Sequence, residues 1–130
     1  MKRRGFLLVL LAGGLAACAT AARQEELMLT IRAYEGAVRW GMLDRAYEFI
    51  KPDPDNPVEP PPGLEQFRVT GYDQVSPVMP AGEKRYTLTA QIRYVNLDRQ
   101  VERSLMDRQY WEYDDKAKRW WRANPIPVFK

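Results

Sequence analysis

The sequence predicts an α+β domain over residues 23–130, in which an N-terminal helix or helix pair packs on a curved four-stranded antiparallel meander sheet. Three observations predict this fold. Apolar residues recur with the period of an α-helix up to residue 40, a proline-rich segment follows at 51–63, and apolar and polar residues then alternate with the period of a β-strand. Helices followed by a run of strands are typical of the α+β class.

The first helix is predicted over 23–40, because its apolar residues are spaced by four, three and four positions. These residues are Leu27, Ile31, Tyr34 and Val38. Gly41 then allows the chain to leave the helix. A shorter helix is predicted over 43–50, and its inward face holds Leu43, Ala46, Tyr47 and Ile50.

The segment 51–63 contains six prolines, which fix the backbone φ angle and remove amide donors. We therefore expect an extended, polyproline-like connection between the helices and the sheet. An alternative is that this segment is a docking site for a partner that recognises proline-rich chains.

Four strands are predicted after Gly63, and the alternation is clearest at 85–94. The first strand places Phe67, Val69 and Gly71 on one face. The strand at 85–94 directs Tyr86, Leu88, Ala90, Ile92 and Tyr94 inward. A third strand follows at 101–113 and a fourth at 120–123, with a polar hairpin loop at 114–118 between them.

A two-residue turn at Leu97-Asp98 would pair Ile92 with Arg103 and Leu88 with Asp107, and an exposed ion pair would join Arg93 to Glu102 on the other face. Arg103, Asp107 and Gln109 then lie on the otherwise apolar face. Buried charges are costly unless they are paired or hydrated. Either Arg103 and Asp107 pair with each other, or they line a wet cavity, or a bulge near 106–110 turns some of them outward.

Aromatic residues cluster around the last predicted hairpin: Trp111, Tyr113, Trp120 and Trp121. Cross-strand aromatic pairs stabilise sheets, so one interpretation is core packing. Since Trp120 and Trp121 are adjacent in a strand, they point to opposite faces, and we expect one of them to be partly exposed. With Arg119 and Arg122 nearby, an exposed Trp would provide a binding surface for a partner protein or lipid headgroups.

Several kinds of chemistry are excluded by composition. The chain has no histidine and a single cysteine, Cys18, so Ser-His and Cys-His catalytic sets and the usual zinc sites are impossible. No glycine-rich phosphate loop is present. We expect no cofactor and no metal ion, and an enzymatic role is less favoured than a binding role.

The N-terminus has the pattern of a secretory signal peptide over residues 1–17: three basic residues, an apolar run from Phe6 to Ala17, and small residues before Cys18. Leu15-Ala16-Ala17-Cys18 resembles the lipobox of bacterial lipoproteins. The resemblance implies that Cys18 is lipidated and acylated with palmitate-like chains, becomes the new N-terminus and is followed by a tether at 18–22. Ala19 at the next position implies the periplasmic face of the outer membrane.

The formal net charge of +3 comes entirely from Lys2, Arg3 and Arg4, all within the signal peptide. The mature chain would be neutral, which gives no support for nucleic-acid binding. Arg3-Arg4-Gly5-Phe6-Leu7 also resembles a twin-arginine export signal, although a simple basic n-region explains the same residues.

The order of a helix with Tyr34 and Val38, a second short helix with Leu43 to Tyr47, and a meander ending in Trp111 to Tyr113 and Trp120-Trp121 resembles the nuclear-transport-factor-2-like (cystatin-like α+β) superfamily. That resemblance implies a sheet curved into a cone. Members of the superfamily include homodimeric and assembly modules, so the resemblance also allows a homodimer. We therefore expect an envelope lipoprotein with a binding or scaffold role and a protein partner. The alternative is a ligand-binding or enzymatic pocket in which Asp107 is the general base and Arg103 its charge partner.

Overall fold

A computed structural model describes residues 2–130, with side chains described from Gly14 onward. Helix α1 spans Lys2–Arg39 without interruption. The sequence predicted a separate helix from residue 23, but the tether at 18–22 is helical as well, because this alanine-rich stretch has a high helix propensity. The predicted signal peptide lies mainly outside the residues whose side chains are described.

The predicted inward face of α1 is confirmed, since its four apolar residues are all buried: Leu27, Ile31, Tyr34 and Val38. The second helix is present as a 3₁₀ helix at Leu43–Phe49, and a further 3₁₀ turn occurs at Leu64–Gln66. Between them, residues 51–62 form an exposed connection without helix or strand, as the prolines predict. Within the part of the chain searched, no helix combines the length and apolar character needed to cross a bilayer.

The strands form one antiparallel sheet, which confirms the α+β fold. The strands are β1 Phe67–Gln74, β2 Met79–Pro80, β3 Arg85–Asn96, β4 Val101–Asp114 and β5 Arg119–Arg122. Their order is β1-β3-β4-β5. The two-residue β2 pairs with Tyr86 and Thr87 at the start of β3, beyond the part of β3 that pairs with β1. The sequence missed β2, because a proline-containing pair of residues at a sheet edge lacks the alternation of a longer strand.

A bulge in β1 corrects two predictions. The pairing of β1 with β3 shifts between Val69 and Gly71, so these residues lie on opposite faces and not on one. The Arg93 side chain lies across Gly71, and a Cβ at position 71 would overlap the Arg93 guanidinium. Arg93 Nη2 forms an ion pair with Asp73 Oδ2 at 3.2 Å. The β3–β4 pairing also places Arg93 opposite Ser104 and not opposite Glu102, so the predicted pair between Arg93 and Glu102 is wrong.

The register between β3 and β4 differs by two residues from the predicted one. Ala90 pairs with Asp107 and Tyr94 with Arg103, because the loop contains four residues, 97–100, and not two. The Asn96 side chain accepts a hydrogen bond from the Asp98 amide at 3.0 Å, and Gln100 has a φ of 53° that closes the loop. A shift by two keeps each side chain on its predicted face.

Candidate functional site

The centre of the inner face is a buried ion pair between β4 and β5. Asp107 and Arg122 are 1% and 2% exposed, and the Arg122 Nη2 atom lies 2.7 Å from Asp107 Oδ1. The second contact joins Arg122 Nη1 to Asp107 Oδ2 at 3.0 Å, so the pair is bidentate. The strand period explains the placement, since Asp107 lies two residues from Gln109 and four from Trp111 on the inward face of β4.

Every donor of Arg122 that points into this cluster has a partner. Its Nε donates to the carbonyl of Asn124 at 3.1 Å, and Nη2 donates to the carbonyl of Pro125 at 3.0 Å. Nη1 also donates to the Tyr34 hydroxyl at 2.8 Å. Burial alone would lower the pKa of Arg122, but hydrogen bonds to Asp107 hold it above its ordinary value. The guanidinium therefore stays charged and joins α1, β4, β5 and the C-terminal segment.

Asp107 is equally engaged. Its Oδ2 accepts hydrogen bonds from the Tyr34 hydroxyl at 3.1 Å and from Gln109 Nε2 at 3.0 Å, besides the contact with Arg122. Gln109 in turn donates to the Tyr72 hydroxyl at 2.7 Å and accepts from the Trp111 indole at 3.1 Å. A network with all its members satisfied fixes the arrangement of the core.

Burial raises the pKa of both tyrosines in this network. The pKa of Tyr34 is held well above its ordinary value by desolvation and then by the negative charge of Asp107. The pKa of Tyr72 is also raised by desolvation, against the opposing hydrogen bond from Gln109. Both hydroxyls are neutral donors or acceptors over the physiological range.

Arg103 does not share a site with Asp107, which corrects the sequence interpretation. Arg103 is exposed, pairs across the sheet with Tyr94, and donates to the carbonyl of Lys130 at 3.4 Å. The linings of five surface cavities among the described side chains include neither residue. The β3–β4 pairing also runs without a bulge at 106–110. Asp107 is 1% exposed and forms its ion pair with Arg122 and not with Arg103.

The partner that the sequence interpretation missed is Arg122, which it placed on the surface beside an exposed tryptophan. Strand parity carries the signal that would have found it. If Trp120 points inward, Arg122 two residues later must also point inward, and a buried arginine needs a carboxylate. Asp107 is the inward carboxylate of the neighbouring strand.

The aromatic residues divide between core and surface. Trp111 and Trp120 are 0% and 2% exposed, and the Trp120 indole donates to the carbonyl of Arg23 at 2.8 Å. Trp111 packs edge-to-face on Tyr34 with ring centroids 5.5 Å apart. Their full burial corrects the expectation that these two tryptophans contact a partner.

Tyr113 and Trp121 are both half-buried. The guanidinium carbon of Arg23 lies 5.7 Å from the Tyr113 ring centre, whereas Arg119 stacks on Trp121 at 3.6 Å. Trp121 also donates from its indole to Asp114 at 3.3 Å. The prediction that Trp120 and Trp121 lie on opposite faces is thus confirmed, and Trp121 is the more exposed of the two.

Cys18 lies on the exposed surface of α1 as a free thiol. In the searched part of the chain, no group of three or more acidic, cysteine or histidine side chains is arranged to hold a metal ion. Comparison with known proteins found no matching family model, curated protein or solved structure. The resemblances to lipoproteins and to the nuclear-transport-factor-2-like superfamily therefore stay predictions.

Proposed function

We propose that this chain is a lipoprotein of the bacterial cell envelope, anchored through Cys18, whose domain serves as a binding or scaffold module on the periplasmic face of the outer membrane. The observation that carries the proposal is the tetrapeptide Leu15-Ala16-Ala17-Cys18, which contains the one cysteine of the chain. An unpaired thiol is a liability in an oxidising compartment, and acylation of its sulfur removes that liability.

The position of Cys18 supports an anchor close to the domain. The first backbone contact from α1 to the sheet is the Arg23 carbonyl, which accepts from Trp120. Arg23 lies five positions after Cys18, which is about 8 Å along a helix. Several buried acyl chains anchor a protein nearly permanently, at about 0.8 kcal/mol for each buried CH₂.

The buried network supports a binding role over catalysis. The alternative enzymatic role assigns the general base to Asp107, but both of its oxygens are already occupied by Arg122, Tyr34 and Gln109. A general base must reach a substrate proton within hydrogen-bond distance. Trp121, with Arg119 stacked on it, is the aromatic group from the predicted hairpin cluster that we assign to partner contact.

The anchor is tested by Cys18→Ser in the full-length chain, expressed in a bacterium that makes lipoproteins and fed labelled palmitate. We expect the wild type to take up label and sediment with membranes, and the variant to do neither. An Ala22→Ser variant on the same helix is the matched control and should behave as the wild type. Membrane attachment of Cys18→Ser without label would refute the anchor.

A further inference from the structure

A cleft lies between the end of α1 and the start of β1. It has a volume of about 470 Å³ and is lined by Arg39, Trp40, Gly41, Arg68, Val69 and Thr70. We call it the Trp40 cleft. Its size falls within the range of small-ligand sites. Trp40 is 72% exposed, the largest exposed fraction among the large apolar side chains described.

The helix end holds Trp40 in a fixed position. The Trp40 amide donates to the Gly36 carbonyl at 3.1 Å, and the Met42 amide donates to the Ala37 carbonyl at 3.0 Å. Gly41 has a φ of 79°, so these contacts form a Schellman motif with glycine in the left-handed conformation. The indole therefore projects from a closed helix end and not from a mobile loop.

The Arg39 side chain is also held in place, by contacts with β1 and with the Trp40 ring. Its Nη1 donates to the Val69 carbonyl at 3.1 Å, which ties α1 to β1, and its guanidinium carbon lies 4.6 Å from the Trp40 ring centre. Arg39 thereby covers part of the indole and leaves the rest of the ring to the solvent. A stacked, partly bonded guanidinium loses little freedom when it binds a ligand.

The charged side chains that line the Trp40 cleft are all positive. Its lining has two guanidinium groups, those of Arg39 and Arg68, and no carboxylate. Each of the four other cavities described has at least one carboxylate in its lining. Neither arginine is paired with a carboxylate in the described part of the chain. The cleft is thus complementary to an anion.

The cleft also lies far from the proposed anchor. Trp40 follows Cys18 along one continuous helix, about 33 Å away at 1.5 Å per residue. The β4–β5 hairpin, in contrast, meets α1 near Arg23. If Cys18 holds lipid, the hairpin lies toward the membrane and the Trp40 cleft opens at the other end of the domain, toward the cell wall.

We propose that the Trp40 cleft binds a carboxylate-bearing sugar, and N-acetylmuramic acid whose lactyl carboxylate carries no peptide is the cell-wall sugar of that type. An indole ring stacks on the C–H face of a pyranose, and a guanidinium binds a carboxylate through two parallel hydrogen bonds. The choice of a cell-wall sugar rests on the proposed envelope location, whereas the anion site itself rests on the lining residues.

The test is a calorimetric titration of the full-length chain, as wild type and as Cys18→Ser, with the disaccharide N-acetylglucosaminyl-N-acetylmuramic acid. N,N′-diacetylchitobiose, which lacks the carboxylate, is the matched neutral sugar. We expect the acidic sugar to bind at least about tenfold more tightly, since its carboxylate accepts charge-assisted hydrogen bonds that the neutral sugar cannot form. Binding should be the same in both forms of the chain, so failure of the lipid anchor would not alter this result.

Variants locate the site. Trp40→Ala should abolish binding, Trp40→Phe should retain part of it, and Arg68→Gln should remove the preference for the acidic sugar. Arg108→Gln, at an exposed arginine on β4, is the matched control and should bind as the wild type. Equal binding of both sugars, no binding of either, or tighter binding of a glutamate-rich peptide than of the acidic sugar would overturn the proposal.

Discussion

Asp107 and Arg122 form the buried ion pair at the centre of the inner face of the sheet. Their pair is fully desolvated, and four groups from α1, β4 and the C-terminal segment complete its hydrogen bonds. Burying two charges is costly, so the pair is stable only because its geometry is bidentate and each remaining donor is satisfied. The same completeness leaves both carboxylate oxygens of Asp107 occupied by hydrogen bonds.

Asp107→Asn should therefore destabilise the domain and not merely alter a surface. The amide would turn a donor toward the guanidinium and leave the charge of Arg122 buried without a counter-ion, at a cost of about 3–5 kcal/mol. Urea unfolding followed by circular dichroism measures it. Arg103→Gln, at an exposed arginine of the same strand, should change the free energy of unfolding by less than about 0.5 kcal/mol. An Asp107→Asn domain as stable as the wild type would contradict the structural role.

Two tyrosines of the hydrogen-bond network, the buried Tyr34 and the half-buried Tyr72, predict a loss of stability in alkali. Tyr34 and Tyr72 have folded-state pKa values above the ordinary value of 10.0, so below pH 10 both states keep the proton. Above pH 10 the unfolded chain releases protons that the folded chain retains, and stability falls as the pH rises. Phenolate absorbance should show two tyrosines that ionise only when circular dichroism reports unfolding. Tyr34→Phe should remove one of them, and ionisation of every tyrosine in a folded chain would contradict this prediction.

At the scale of elements, the end of α1 and the 3₁₀ helix that follows it determine how the helical layer packs on the sheet. The Schellman motif at Gly41 ends α1, and the 3₁₀ helix at Leu43–Phe49 brings Phe49 against Tyr34 and Trp111, with ring centroids 5.5 Å and 6.1 Å away. Ile50 then forms a bridge with Arg122 of β5. The short helix therefore connects the end of α1 to the edge of the sheet.

Gly41→Ala should weaken this junction. A Cβ at position 41 has free space around it, so the whole cost comes from a left-handed φ of 79°, about 1–2 kcal/mol for a residue with a side chain. Gly36→Ala is the matched control, since Gly36 lies within the helix with free space for a Cβ. It should stabilise the domain by about 0.5–1 kcal/mol. Thermal unfolding of both variants measures the contrast, and a stabilised Gly41→Ala variant would refute the assignment of the helix end.

At the scale of the whole molecule, the core is closed by the chain after β5. This segment returns across the inner face, where Ile126 and Phe129 are buried. The Phe129 ring packs on Tyr94 and Phe67, with centroids 5.0 Å and 6.0 Å away. The segment also supplies the carbonyl groups of Asn124 and Pro125 to Arg122. The last residues of the chain are thus part of the domain and not a tail.

Phe129→Ala should destabilise the whole domain by about 3 kcal/mol, because it removes a buried ring and leaves a cavity beside Tyr94. Val128→Ala is the matched control at a side chain that is 70% exposed, and it should have little effect. Chemical denaturation followed by the fluorescence of the buried tryptophans compares the two. Equal stability of both variants would show that the core does not depend on this segment.

The alternation of residues in the sequence determined which side chains face inward, because the strand period of two is a local property. It placed Asp107 and Gln109 on the inner face, and both are buried, whereas Arg103, which it placed on the same face, is exposed. The lipobox tetrapeptide is a local motif too, and the lipidation of Cys18 that it implies stays a prediction. The features that the sequence predicts correctly are therefore those that depend on neighbouring residues along the chain.

Only the tertiary structure decided which inward groups meet. The length of the loop at 97–100 sets the register of β3 and β4, and the path of the last eight residues brings two carbonyl groups to Arg122. These distances depend on how distant parts of the chain pack, and no local pattern encodes them. For the same reason the Trp40 cleft, formed where α1 ends beside β1, appears in the folded molecule and not in the sequence.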